Sequence, residues 1–429
     1  MQINEIRSLL ENGGFDDIFR VLYGTERSIL DAQKKRYSDA VDAFRRLYPE
    51  RTDIHIYSAS GRTEIGGNHT DHQHGCVLAA AVNLDAIAVV SFHEEKMIRV
   101  QSAGYPADVV DLSDLSVQEG EAGSAAMIRG IAARFTEMGA SIGGFDAYTT
   151  SDVLSGSGIS SSAAFEVLIG TVIDQHYLSG RAGAVEIAKI GQYAENVYFG
   201  KKSGLMDQMV SSVGGFVFID FHDTEQPVIE RHSFSFEEAG YCLCITDTKG
   251  SHADLTDDYV AIPMEMGQVA ALLGAEYLRD ADEDMFYQNL PRLREACSDR
   301  AILRAAHFFA ENRRAGEEAR ALSEGNMERF LCLVRESGQS SAQLLQNLYS
   351  SRKAAEQAIP LGLMISERVL GEQGAVRVHG GGFAGTIQAF VPLHLKEAYQ
   401  KAMDALYGEN SCHVLRIRPV GGVEITALI

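Results

Sequence analysis

The stretch VLSGSGISSSAAFEVLIG, from Val153 to Gly170, decides how the chain is read. It opens as glycine and serine and continues as an apolar, alanine-bearing run with the character of a helix. Gly156 and Gly158 let the backbone turn tightly and approach a ligand, while Ser160, Ser161 and Ser162 place hydroxyls and amides where the helix begins. A helix N-terminus carries unpaired N–H groups and about half a unit of positive charge, so it accepts a phosphate with few added cations. The Gly-Lys-Ser/Thr ending of an ordinary P-loop is missing, which excludes that class. By itself the stretch reads either as an anion cradle or as a glycine-serine turn capping a core helix.

The surrounding chain narrows the choice. GGFDAYTTSDV, Gly143 to Val153, alternates like a strand, so the glycine-serine loop follows a strand and opens a helix, the setting in which phosphate cradles occur. Helices are predicted from about Ser162 to Tyr177 and from Ala184 to Tyr198. The second runs into AENVYFGKKSGLMDQ, where Glu195 lies among apolar or small residues and needs a partner if buried. Asp207 occupies a turn-to-helix setting, in which a carboxylate is favoured by the helix dipole. Upstream, DIHIYSAS from Asp53 reads as a strand entering a glycine turn, GRTEIGGNHTDHQHG, that concentrates Arg62, Glu64, Asn68, His69, Asp71, His72 and His74. His69, Asp71, His72 and His74 could ligate a metal. The same donors and acceptors could equally hold a hydroxyl-rich ligand such as a sugar.

Residues 3–48 show helical spacing and form a lead-in whose Lys34, Lys35 and Arg36 read as a solvated face. GFVFIDF and GYCLCITDT read as buried strands. A long helical region from about Leu255 to Leu370, broken near Pro291 and Gly338, reads as structural bulk. RVHGGGFAGTIQAFV is strand, glycine turn and strand, and its successive Gly380, Gly381 and Gly382 indicate a close backbone approach. HLKEAYQKAMDALYG predicts a helix, and CHVLRIRP with GVEITALI predict terminal strands. The composition shift between Phe221 and Tyr241 marks a domain boundary.

A chain of 429 residues fits two domains or one large one. With 38 basic and 59 acidic residues the formal charge is -21, which argues against nucleic-acid or anionic-membrane partners. The six cysteines lack paired metal spacing and fit reduced thiols in the cytoplasm. MQINEIRSLLENGG carries acids and lacks the apolar core of a secretory signal, and no stretch approaches the roughly 20 apolar residues of a membrane span.

In their order, these pieces resemble the galactokinases of the GHMP kinase superfamily. GRTEIGGNHTD resembles their sugar-binding signature, the Gly156 loop their second motif and HGGGFAG their third, with AEN and GLMDQ between. The resemblance spans roughly Asp53 to the C-terminus, and the ordered set is far more specific than any one motif. It implies an α+β, two-domain GHMP kinase fold with the active site in the interdomain cleft. Residues 1–50 would be a helical extension, 51–235 the N-terminal domain with sugar motif, phosphate loop and catalytic Asp, and 236–429 the C-terminal domain. The implied reaction is ATP-dependent, Mg2+-assisted phosphorylation of the anomeric hydroxyl of galactose to galactose 1-phosphate. Asp207 would take or orient the hydroxyl proton and Arg62 would stand beside it. Asn68, His69, Asp71, Gly204 and Tyr259 would contact the sugar. Gly156, Ser157, Gly158, Ile159, Ser160, Ser161 and Ser162 would cradle the nucleotide, Ser162 and Glu195 would hold Mg2+, and Gly380 to Gly382 would line the cleft. Such a protein is expected to act on small molecules as a monomer or weak homo-oligomer.

The chain departs from the family where sugar identity is read. Asn68 stands where the family usually has Glu, Ser60 where it tends to have Pro, His72 where it has Tyr, and Ile262 where an Arg is expected. The alternatives are therefore a kinase for a related sugar, N-acetylated, uronic or pentose, and a non-catalytic galactose sensor.

Overall fold

The computed structural model describes residues 1–121, 123–153, 159–201, 203–251 and 254–429. The chain begins with three helices, α1 (Ile3–Asn12), α2 (Asp16–Tyr23) and α3 (Arg27–Leu47), whose apolar faces meet in one cluster with Ile54, Ile56, Ile87 and Val89 of the sheet behind them. Arg36 is not part of a solvated face. Its guanidinium reaches the wholly buried Asp85, with Nη1 to Oδ1 at 2.6 Å and Nη2 to the backbone oxygen at 2.9 Å, because a buried carboxylate needs a cation and hydrogen bonds.

β1 (His55–Gly66) and β2 (Cys76–His93) form an antiparallel pair, followed by β3 (Met97–Ser102), β4 (Ala107–Asp111), α4 (Ser124–Glu137), β5 (Gly144–Ser151), α5 (Ser161–Ile173), α6 (Gly183–Tyr193), α7 (Met206–Val213), β6 (Phe216–Asp220) and β7 (Val228–His232). Then come β8 (Tyr241–Asp247), α8 (Thr256–Leu272), α9 (Glu283–Gln288), α10 (Leu290–Ala296), α11 (Asp299–Ser323), α12 (Met327–Ser340), α13 (Ala358–Leu370), β9 (Ala375–His379), β10 (Thr386–Pro392), α14 (Lys396–Tyr407), β11 (Cys412–Leu415) and β12 (Val423–Glu424).

The larger sheet runs β12-β1-β2-β5-β3-β4, with β6 and β7 extending from the other half of β2. Its length lets β2 serve two neighbours, Cys76 to Ala80 facing β6 and Ala86 to His93 facing β5. The smaller sheet is β11-β8-β10-β9. Apolar residues of α4, α5 and α6 cover the larger sheet in the main core, while α13 and α14 cover the smaller one.

Several expectations shift at their edges. GRTEIG belongs to β1 and not to the turn after it. The strand tolerates the glycines by register shifts between Ser60 and Arg62 and between Glu64 and Gly66. Gly338 lies within α12, where its missing side chain lets the helix meet β9; a Cβ there would be 3.1 Å from the Val376 oxygen. Pro291 stands in the first turn of α10, where proline has no hydrogen bond to lose, and so begins a helix instead of ending one. GVEITALI is a strand only at Val423–Glu424, paired with β1, before a short 3-10 turn.

Candidate active site

β1, α5 and α7 converge on Asp207. The carboxylate stands in the first turn of α7, where the helix dipole favours its charge. The Arg62 side chain, largely buried on β1, grips it with Nε to Oδ1 at 2.8 Å and Nη2 to Oδ1 at 2.7 Å. The Ser160 hydroxyl donates to the other oxygen. Ser160 takes a left-handed conformation, φ 55°, just before α5 and carries no side-chain cap. The sequence pattern suggested a capping serine; the fold uses this hydroxyl for the carboxylate instead. The strand and the glycine-serine loop are tied directly, since the Arg62 amide donates to the Ile159 oxygen at 3.1 Å. Gly61 makes that approach feasible, because a Cβ there would lie 2.8 Å from Ile159 Cγ2. Ser161 and Ser162 occupy the first turn of α5. Gly156, Ser157 and Gly158 lie outside the described residues.

A second group lies behind Asp207. The α6 helix ends in a π turn over Ala194–Phe199, which carries Glu195 into the interior. Glu195 receives Lys201 Nζ on Oε1 at 2.9 Å and Gln208 Nε2 on Oε2 at 3.0 Å, so the partner its burial demands is present. The same Gln208 nitrogen donates to Glu166 at 2.9 Å, and Glu166 Oε1 is buried with no hydrogen-bond partner. Burial, reinforced by the charges of Glu195 and Asp207, raises the Glu166 carboxyl to about 8 despite the bond from Gln208. Glu166 and Gln208 escaped the sequence reading, although each lies within a motif that it quoted.

The sugar-motif residues separate into two kinds. Asp71 opens a short 3-10 turn, receives the His72 amide on Oδ1 at 3.0 Å, and turns Oδ2 toward Gly204, where a Cβ would sit 3.0 Å away. Asp71 and Gly204 are thus neighbours, three residues ahead of Asp207. His69 has φ 58° and bonds through Nε2 to the Gly381 oxygen at 2.9 Å. Burial, then the neighbouring His72, lowers its pKa to about 4, so at neutral pH the ring is uncharged. With Nε2 donating, Nδ1 is an acceptor, and it has no hydrogen-bond partner. Asn68 behaves differently from the expected sugar contact. It is fully buried, gives its amide hydrogens to Glu64 Oε1 at 3.0 Å and the Gly380 oxygen at 2.7 Å, and receives Asn347 at 2.9 Å. Both donors being spent inside the protein, Asn68 holds the loop and offers no hydrogen to a ligand.

The glycine turn after β9 closes this wall. Gly380 and Gly382 have φ 66° and 77°, and a Cβ on Gly382 would come 2.2 Å from the Asn347 oxygen. At Gly381 a Cβ would meet the Tyr259 ring at 2.7 Å, while the Tyr259 hydroxyl donates to the Gly382 oxygen at 2.8 Å. Tyr259 therefore stands against the glycine turn, and Ile262, where the family has Arg, is buried in the α8 core. Among the described residues no group of three or more His, Cys, Asp and Glu is arranged to hold a metal ion, so a centre built from His69, Asp71, His72 and His74 is not formed.

Residues 42–92 match the galactokinase galactose-binding signature, and residues 123–215 match the GHMP kinase N-terminal domain. One stretch of the chain thus carries the galactokinase galactose-binding signature and another a GHMP kinase N-terminal domain. Solved structures agree with this on the fold. A Lactococcus lactis galactokinase complexed with galactose superposes with a TM-score of 0.75 at 22% identity, covering 89% of this chain and 98% of that one. A Methanococcus jannaschii mevalonate kinase gives 0.59 at 14% identity over 85% and 98%. A D-glycero-D-manno-heptose 1-phosphate kinase from Bacteroides thetaiotaomicron gives 0.58 at 17% identity over 87% and 98%. The two-domain mixed α/β architecture expected from the sequence is the architecture of the GHMP kinases.

Proposed function

We propose that this protein phosphorylates the anomeric hydroxyl of galactose from ATP, giving galactose 1-phosphate. The observation that carries the reading is that the galactose signature folds onto the Arg62–Asp207 pair, with Asp71 beside Gly204 on the approach to Asp207. A purely structural ion pair would need neither the adjoining sugar signature nor the phosphate-loop serine on the second carboxylate oxygen.

In this reading Asp207 accepts the proton of the sugar hydroxyl, or orients it, with Oδ1 held by Arg62. Positioned base catalysis contributes about 10²–10⁴-fold. Arg62 holds the carboxylate in place and offsets charge as the phosphoryl group passes, the kind of positioning and neutralisation that carries most of phosphoryl transfer. Asp71 accepts from sugar hydroxyls, and so does the unpaired Nδ1 of His69. Gly204 and Tyr259 bound the sugar, and Gly380 to Gly382 line the cleft. Ile159 to Ser162, with Gly156 to Gly158, cradle the nucleotide.

The Glu195 carboxylate and Ser162 hydroxyl are hard oxygen donors, and buried Glu195 already sits in a polar group holding a cation, Lys201. They fit Mg2+, which usually takes one or two carboxylates with waters and substrate phosphates and needs no all-protein cage. Bound there with the nucleotide, Mg2+ would neutralise phosphate charge. No helix among the described residues is long and apolar enough to cross a membrane, and we place the reaction in the cytoplasm.

The deciding measurement is turnover of galactose with MgATP, read as galactose 1-phosphate, beside N-acetylated, uronic and pentose relatives. Galactose is expected to be the best substrate. Negligible galactose turnover beside a better sugar, or sugar binding with no turnover at all, overturns the assignment.

A further inference from the structure

Helix α11 lies in the region read from sequence as structural bulk, yet it holds the backbone of the sugar loop. His307 and Glu311, one helical turn apart and both fully buried, approach the same residue from two sides. Glu311 Oε1 accepts the amides of Gly67 at 3.2 Å and Asn68 at 3.3 Å. His307 Nε2 donates to the Asn68 oxygen at 2.9 Å, its other ring nitrogen being engaged by Ser340 at 2.8 Å. The N–H and C=O of one loop residue are therefore both satisfied by α11. The next residue, His69, is held in a left-handed conformation, and Asp71 follows two positions on.

Glu311 is itself fixed in charge and direction. The Ser337 hydroxyl donates to Oε1 at 2.7 Å, and Arg314 pairs with Oε2. Burial alone would raise its pKa, but His307, Arg314 and Arg377, with the Ser337 bond, outweigh burial and bring it to about 2. Hydrogen bonds from amides to an ionised carboxylate are stronger than those to a neutral amide oxygen. The chain passes at Gly67 with φ 89°, where a Cβ would be 2.4 Å from the Cys76 oxygen, so the loop has little freedom to find another anchor. Outside α11 and α12, Glu311 bonds to the Gly67 and Asn68 amides of the sugar loop.

We propose that Glu311 is a positioning residue for sugar binding, which sets His69 and Asp71 through the Gly67–Asn68 backbone; this rests on the sugar-kinase reading above. The test is steady-state kinetics of Glu311→Gln in the full chain, with folding checked by circular dichroism and thermal melting. The expected result is a rise of tenfold or more in KM for the sugar, with KM for ATP within twofold of wild type and kcat reduced less than the sugar KM is raised. Ser337→Ala, which removes one bond to the same oxygen, should give a smaller change of the same pattern. It also carries the test if Glu311→Gln does not fold. The sugar used is whichever one the wild-type chain phosphorylates best, so a wrong sugar and a wrong positioning residue fail separately. An unchanged sugar KM in the folded variant, or equal rises in both KM values, would overturn the proposal, since loss of general stability does not discriminate between the two substrates.

Discussion

In the proposed reaction Asp207 is the residue on which the chemistry turns, and three contacts hold it. Arg62 grips one oxygen, Ser160 fixes the other, and the start of α7 aims the carboxylate. Asp207→Asn should keep the side-chain shape and remove the base, lowering kcat by about 10²–10⁴-fold. Sugar affinity measured by calorimetry should change little, and turnover at the wild-type rate would show that another group takes the proton. Gly204→Ala tests the neighbouring space. Its Cβ would stand 3.0 Å from Asp71 Oδ2, closer than such contacts normally come, so the carboxylate must shift. The expected outcome is a raised sugar KM with ATP KM preserved. Both positions were expected from the resemblance of GLMDQ to the galactokinase motif. The direction of Asn68 was not legible. An amide can serve a ligand or its own loop, and only the positions of Glu64, Gly380 and Asn347 decide between them.

At the scale of elements, α11 and the hairpin of β9 and β10 press against β1. Arg377 on β9 donates to the Ile65 oxygen at 2.5 Å and pairs with Glu64, while Gln388 on β10 reaches Thr63 and the Glu64 oxygen, each at 2.8 Å. Into the same interface α11 brings Glu318, whose two carboxylate oxygens are buried without a hydrogen-bond partner and would collide with any side chain at Gly66. Burial, followed by the charge of Glu311, raises its pKa well above the ordinary 4.5. The folded state therefore holds a proton that the unfolded chain releases as pH rises past 4.5, so the native state loses stability through this group upward from that pH. Glu318→Gln imitates the protonated form and removes this loss. Its melting temperature should match wild type near pH 4.5 and exceed it by a margin that grows toward pH 8. A constant difference across that range would exclude the linkage. Helical periodicity revealed that α11 is a helix, but gave no reason to place its buried acids against a strand so far away in the chain.

Across the whole molecule, the N-terminal helices are built into the larger sheet and are not an appendage. Asp85 gathers Arg36, Arg418, Tyr23 and Ser58, so the first helices, the sheet and the segment between β11 and β12 share one buried carboxylate. Arg36 also pairs with Asp152, at the end of the strand leading into the glycine-serine loop, at 3.1 Å. Breaking a buried pair by removing one partner typically costs about 3–5 kcal/mol. Arg418 remains beside Asp85, so Arg36→Met is expected near the lower end of that range. Denaturant unfolding would measure it, and a loss below about 1 kcal/mol, the ordinary worth of an exposed pair, would contradict the burial argument.

What the sequence by itself determined was the set of local instructions: helical and alternating periodicities, glycines where the backbone turns, and an order of motifs that resembles the GHMP kinases, with a galactose signature. The loop from Val153 to Gly170 lost its ambiguity once its neighbours were read with it. The tertiary structure alone decided which polar groups are spent inside the protein and which remain for a ligand. Glu311 meets Asn68 across 243 residues of chain, and Arg418 meets Asp85 across 333. A local pattern specifies what a residue can donate, accept or bury. Which partner satisfies it depends on distant segments brought together by burial of their apolar faces.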